Sequence, residues 1–348
     1  MDYSRLFQES KNILISGCGG GYDIFCGLSL YFDLLEQNKN VYLGNYTFTD
    51  IVLLKRAEKI NFNCYKTNSS IKLPTKEEYI KEKNITPLPT HILEQFGYNT
   101  IDEYYDECLS IRKPNGEFYF PEYKLSKHFK EKYNKEVGIY CFADSGIKYL
   151  IEAYNIIVDM HNIDTIVLID GGTDSLMKGD EVELGTPYED ISSIVAVQNT
   201  KVDKKYLFCL GFNIDKFHGV RSIDFLKNTA IQMKSGTFLG GYFLTIGQNP
   251  VQKYIEAYKA CSPENSIVNS LVVSALEGDF GDHHPQEIAN RIEGTIQEIN
   301  PLMTMYWIYN LEGLYKQLKY NVDKLKETKD ETEIQELLNE IRIDRNNQ

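Results

Sequence analysis

The chain has 348 residues, 42% of them hydrophobic, enough for one large α/β domain or two smaller ones, so disorder is not the expectation. Fifty acidic against 37 basic residues give a formal charge of −13, and no basic cluster offsets it locally, so neither nucleic acid nor a membrane surface is an expected partner. The opening MDYSRLFQESK has no apolar signal core and no segment reaches the roughly 18 uninterrupted apolar residues of a membrane helix; with seven cysteines, none in a CxxC pair, the expected setting is the reducing cytoplasm.

In chain order, Asn12–Ser16 reads as a strand, followed by a turn with four glycines and then a helix carrying Ile24, Leu28, Tyr31 and Leu35 on one face. Val41–Asn45 is the next predicted strand. Residues 60–136 break the rhythm with many Tyr, Lys, Glu and Pro residues, and are expected to form an insertion or lid, or else to hold one poorly signed sheet strand. A second βαβ unit begins at Gly138–Phe142, continues through a helix bearing Ile147, Leu150, Ile151, Tyr154 and Val158, and ends in the strand Thr165–Ile169.

Thr186, Pro187 and Glu189 predict a helix start with a capping box, and Tyr206–Gly211 a further strand. Ser222–Lys234 and a segment opening at Asn249–Pro250 read as helices; Ser266–Leu276 is rich in β-branched residues but keeps helical spacing, and helix is preferred. The aromatic stretch around Trp307 is read as core packing, and the charged residues 321–348 as a solvent-facing terminal helix and tail. Alternating strands and helices predict a Rossmann-like α/β three-layer sandwich with a mostly parallel sheet, one domain over 1–320, an inserted lid at 60–136 and a helical C-terminus.

Parallel sheets bind ligands beyond the carboxyl ends of their strands, so the residues directly after each strand carry the candidates. The first strand runs into Gly17, Gly19, Gly20, Gly21 and Asp23, the Gly138 strand into Asp144 and Ser145, the Thr165 strand into Asp170, Gly171, Gly172, Thr173 and Asp174, and the Tyr206 strand into Asn213, Asp215 and His218. Glycines at a strand-to-helix turn let backbone amides approach an anion, a phosphate above all. The spacing is GxGGG, with Tyr22 at the place of a third fingerprint glycine, so the dinucleotide signature is incomplete.

Asp170 and Asp174 suit a hard divalent cation, Mg²⁺ or Mn²⁺, joined by Asp282, or else hydrogen bonds to sugar hydroxyls. The bland reading is that they bond to loop amides and that Asp180, Glu181 and Glu183 are solvated. In EGDFGDHHP, residues 277–285, His283 beside carboxylates is a candidate proton carrier, with Asp144, Asp170 and His218 the others.

The stretches IDGGTDSLMKGDEVELGTPYED, CLGFNIDKFHGV, SIVNSLVVSALEGDFGDHH and INPLMTMYW resemble the family known as domain of unknown function 1152, with one departure where Ala289, Asn290, Arg291 and Ile292 stand in place of an Arg-Thr pair. The resemblance implies no reaction, only that these motifs form one recurring constellation. The residues themselves point to a hydrolase or group transferase acting on a nucleotide or other phosphorylated small molecule. A nucleotide-sensing protein without catalysis and a nicotinamide-dependent oxidoreductase are the alternatives, and a homo-oligomer stays open.

Overall fold

The computed structural model describes residues 3–85, 89, 92–93, 100, 118–261 and 266–346, with residues 217, 218 and 342–346 by backbone only. Its centre is a nine-stranded mixed sheet with strand order β3-β4-β5-β2-β1-β6-β7-β11-β8. Here β1 is Asn12–Gly17, β2 Asn40–Tyr46, β3 Glu58–Lys59, β4 Cys64–Thr67, β5 Ile139–Phe142, β6 Thr165–Asp170, β7 Lys204–Cys209, β8 Phe238–Phe243 and β11 Met305–Asn310. Strands β9 (Gly281–Asp282) and β10 (Glu298–Ile299) pair separately as a small antiparallel ribbon.

The five strands β5, β2, β1, β6 and β7 are all parallel. The chain leaves β1 toward β2 and β5 on one side, then returns to build β6 and β7 on the other. The loops after β1 and β6 therefore diverge, and a crevice opens between their carboxyl ends. Antiparallel strands flank this centre: β4 and β3 beyond β5, and β11 and β8 beyond β7.

Alternate residues of each strand feed two separate apolar cores, the period-two consequence of pleating. Ile13, Ile15, Val167, Ile169, Phe208 and Tyr306 pack under the helices Leu28–Glu36, Asn249–Ala260 and Ile267–Glu277. Leu14, Ile166, Leu168, Leu207, Trp307 and Tyr309 face the helices Ile147–His161 and Pro187–Gln198. Strands buried on both faces read as near-continuous apolar runs, which is why β1, β5, β6 and β7 are visible in the sequence.

Several expectations change. The first helix is two, Asp23–Cys26 and Leu28–Glu36, broken at Gly27, where a Cβ would lie 2.9 Å from Ile15 and Ile169. The 60–136 region does hold a sheet strand, β4, and its helix Pro121–Tyr133 packs Leu125 and Phe129 into the first core. The aromatic stretch is core, as expected, but as the strand β11. Its tyrosine hydroxyls are satisfied inside, Tyr309 with Thr229 at 2.8 Å.

Ser266–Leu276 is a helix, Ile267–Glu277, with the Ser266 hydroxyl accepting from the Asn269 amide at 3.1 Å. The charged C-terminal stretch is less solvated than its composition suggests: Leu325, Ile334 and Leu338 are buried in the second core. Thr328 caps the Ile147–His161 helix, accepting from the Ile147 amide at 3.1 Å through its hydroxyl and from the Lys148 amide at 3.2 Å through its carbonyl. Among the described residues no helix is long and apolar enough to cross a membrane.

Candidate functional site

Five aspartates meet at the crevice between β1 and β6. Asp170 is the last residue of β6, Asp23 opens the short helix after β1, Asp174 sits in the turn after β6, Asp215 in the turn after β7, and Asp190 in the first turn of the Pro187–Gln198 helix. Together with Gly19, Gly20, Gly21, Gly171, Thr186, Phe48, Tyr119 and Arg291 they line a cavity of about 470 Å³. Carboxylate oxygens of Asp170, Asp174 and Asp190 all lie within 4.8 Å of one another, and the three side chains are buried.

The glycines explain how so many acids fit. A Cβ on Gly19 would stand 2.9 Å from Asp190 Oδ1, one on Gly171 2.6 Å from Asp23 Oδ1, and one on Gly172 2.7 Å from Asp215 Oδ2. At Gly185, with φ of 67°, a Cβ would meet Asp174 at 2.3 Å. Glycine at these positions makes room for carboxylates. Gly20 and Gly21, with φ of 92° and 58°, have another neighbour: the Phe48 ring rests on them, 2.7 Å from where a Gly20 Cβ would be. Gly17 leaves space for the Asn45 side chain.

Most of the acids are held by short local bonds. Asp23 accepts from the Gly19 amide at 2.8 Å, so that amide of the glycine turn is already engaged by a carboxylate. Asp215 accepts from the Thr173 amide at 2.5 Å and its hydroxyl at 3.1 Å. Ser175 donates to Asp170. Thr186 is not the expected capping box: it makes no side-chain cap bond to its helix, and its amide (2.9 Å) and hydroxyl (3.2 Å) both donate to Asp174. The helix start is thereby tied to the acid cluster.

Asp190 differs. The residue is 2% exposed and its Oδ1 has no hydrogen-bond partner. Burial, reinforced by the charges of Asp174, Asp170 and Asp23, raises its pKa well above the usual carboxylate range. Asp170 and Asp215 are raised in the same way, first by burial and then by Asp174. Asp23 is pushed up to about 8 by burial and Asp174, against the opposing bonds from Gly19 and Gly171. So many negative charges cannot share this space unless protons or a cation accompany them.

Of the residues singled out in the sequence, Gly19, Gly20, Gly21, Asp23, Asp170, Gly171 and Asp174 line this cavity. Gly172 and Thr173 stand behind it, supporting Asp215. Asp144 belongs to an adjoining cavity, where Tyr46 (2.8 Å) and Tyr188 donate to its Oδ1. Ser145 accepts from Asn63 at 2.8 Å, and Asn213, with φ of 74°, bonds Glu298 and Ser222; neither lines the cavity.

Asp282 and His283 lie apart from the trio. Asp282 accepts from the Gln297 amide at 2.9 Å in the β9–β10 ribbon, and His283 faces Asp279 at 3.4 Å on the rim of a different hollow. His218 ends the turn Ile214–His218, and its side chain lies outside the described residues. Glu181 is buried rather than solvated, accepting from the amides of Lys178 (2.9 Å) and Gly179 (3.1 Å).

Asp190 is the candidate site residue that sequence reasoning passed over. An acid in a helix's first turn is ordinarily read as complementing the helix dipole. The available signal was its neighbours: Ile191, Ile194 and Val195 mark a helix buried deeply enough that an acid beside them has to face something polar.

The model of a protein family described only as being of unknown function, DUF1152, matches residues 109–346. The chain belongs to the DUF1152 family. All four stretches that carried the resemblance fall within that match, as do Asp170, Asp174, Asp190 and Asp215, while β1 and the glycine turn with Asp23 precede it. No curated protein and no solved structure matches the chain. DUF1152 membership therefore brings no reaction with it, and the chemistry has to be argued from the cavity.

Proposed function

We propose that this DUF1152 protein is a hydrolase or group transferase acting on a nucleotide or another phosphorylated small molecule, with Mg²⁺ or Mn²⁺ held by Asp170, Asp174 and Asp190. The observation that carries the reading is the unpartnered, buried Asp190 Oδ1 within reach of two more carboxylates. Leaving such an oxygen without a donor costs roughly 1–3 kcal/mol, and a hard cation among all-oxygen ligands would remove that cost and offset the mutual repulsion. The ion would supply Lewis-acid polarisation of a phosphoryl oxygen.

The chain's own residues account for the rest. Asp23, at the cavity wall and bonded to the Gly19 amide, is the chain's own group placed to exchange a proton with a bound ligand. With the Gly19 amide engaged by Asp23, the phosphate would be drawn by the cation and by Arg291, the one basic residue among the described lining residues, more than by the glycine turn itself. The strand order β5-β2-β1-β6-β7 supports a Rossmann-like, three-layer reading with the ligand at the crevice where the order reverses. Six described cysteines, all buried and unpaired, support a reducing cytoplasmic setting.

Thermal unfolding with Mg²⁺ or Mn²⁺, alone and with nucleotides or sugar phosphates, tests the proposal before any reaction is known. The cation should stabilise the protein, phosphorylated ligands should add to this only in its presence, and Asp190→Asn should abolish both effects. Phosphate-release and transfer assays then separate enzyme from sensor: binding without turnover would support the nucleotide-sensing alternative. Absence of any divalent-cation shift, or its survival in Asp190→Asn, would remove the metal from the account.

A further inference from the structure

The carboxylate cavity has a neighbour. Beyond the carboxyl ends of β2 and β5 lies a second cavity of about 450 Å³, and Phe48 lines both. Glu189 and Asp190, consecutive in one helix turn, each face a different one: Asp190 the first, Glu189 the second. The two hollows therefore adjoin at Phe48, and the first contains the unpartnered Asp190 Oδ1.

Their chemistry differs. The second is walled by Asp144, Glu189 and Glu331, with Tyr46, Tyr188 and Thr47 beside them, and no lysine or arginine lines it among the described residues. An anionic group would be repelled there. A bare metal ion is not favoured either, since one Asp144 oxygen already accepts from two tyrosine hydroxyls and the described residues form only one three-ligand group, the trio in the first cavity. What remains attractive is a group that donates hydrogen bonds and carries no negative charge.

Phe48 supplies the other half of the recognition. It is 52% exposed, an apolar ring held out between two polar hollows, and Ile51 beside it is 39% exposed. Its position is built in, because Gly20 and Gly21 leave the seat on which the ring rests. A ring face presented to solvent this way is a stacking platform.

We infer that the second cavity is the subsite for the non-reacting part of the substrate: a neutral ring with a flat apolar face and hydroxyl or amino donors at its edge, supplied by a nucleoside or by a sugar. It stacks on Phe48 and donates to Asp144 and Glu331, while the phosphate reaches the Asp170–Asp174–Asp190 end. This rests on the function proposed above.

The test is calorimetric titration of the full chain with Mn²⁺, inorganic phosphate, AMP, adenosine, glucose 6-phosphate and glucose, the phosphates with Mn²⁺ present. AMP or glucose 6-phosphate should bind about tenfold tighter than inorganic phosphate, and which of them does identifies the source of the ring. Phe48→Ala should erase that advantage and Glu331→Gln, which lies outside the first cavity, should reduce it while keeping wild-type affinity for Mn²⁺ and inorganic phosphate. Equal binding of ring phosphates and inorganic phosphate by the wild type, or an unchanged advantage in Phe48→Ala, overturns the subsite. If adenosine or glucose binds in a Phe48-dependent way but Mn²⁺ does not bind, the subsite stands and the metal-dependent reading falls.

Discussion

Two acid-rich stretches look alike in the sequence and end in opposite environments. Residues 170–190 put Asp170, Asp174 and Asp190 into a buried cluster, whereas residues 277–285 leave Asp282 and His283 exposed around a two-residue ribbon. The difference comes from what precedes and surrounds each. The first follows a central parallel strand and is threaded with glycines pressed against carboxylates, so Asp170, Asp174 and Asp190 turn inward while Asp180 and Glu183 stay exposed. The second follows a helix and turns on Gly278 and Gly281, where a Cβ would find no neighbouring atom within 4 Å. Density of acids is a poor guide to a site; crowding of the backbone around them is a better one.

That contrast can be broken by matched substitutions. Asp170→Asn should lose the cation-dependent stabilisation, worth about 2.7 kcal/mol at a hundredfold excess over the dissociation constant, whereas Asp282→Asn should keep all of it; melting temperatures with and without Mn²⁺ decide. Next in size, Gly185→Ala combines a left-handed backbone with a contact to Asp174 and should cost roughly 2–3 kcal/mol in urea unfolding. Gly281→Ala, equally left-handed at φ 81° but open, should cost only about 1–2 kcal/mol.

A pH series sharpens the same comparison. Asp23 and Glu189 are pushed to about 8 and about 7, mainly by burial, above unfolded values of 3.8 and 4.5. The folded chain therefore holds protons that the unfolded chain has released, and the stability they confer at low pH is lost as pH rises through those folded values. Without divalent cation the melting temperature should fall between about pH 4 and pH 8, and Mn²⁺ should recover more of it at pH 8 than at pH 5. A flat profile would mean that the cluster is not dehydrated as the geometry requires. The smallest effect belongs to the ribbon: His284→Ala, removing a half-buried partner of the exposed Asp282, should change stability by less than about 0.5 kcal/mol.

The parallel strands were legible because burial on both faces leaves uninterrupted apolar runs, as in Ile13–Ile15 and Ile166–Ile169. Strands β8 and β11 were not. β8 is half-exposed and carries Gly240 and Gly241, and β11's aromatics fit a helix as readily as a strand, so neither shows its pairing without its partner. At the site, the positions after strands lead to Asp23, Asp170 and Asp174, which do line the cavity, since topology alone brings strand ends together. Asp190 comes from a helix packed across them, and Glu331 from a segment far along the chain; such approaches depend on tertiary packing that no local pattern records.

The seating of Thr328 and Lys329 against Gly146, where a Cβ would overlap their backbone at 2.2 Å, has a practical corollary. Truncating the polypeptide near residue 321, as its charge pattern invites, would uncap the helix after β5, remove packing from the Pro187–Gln198 helix and take Glu331 away from the crevice. Proteolytic trimming aimed at a cleaner crystallisation sample would then yield a protein altered at the crevice itself.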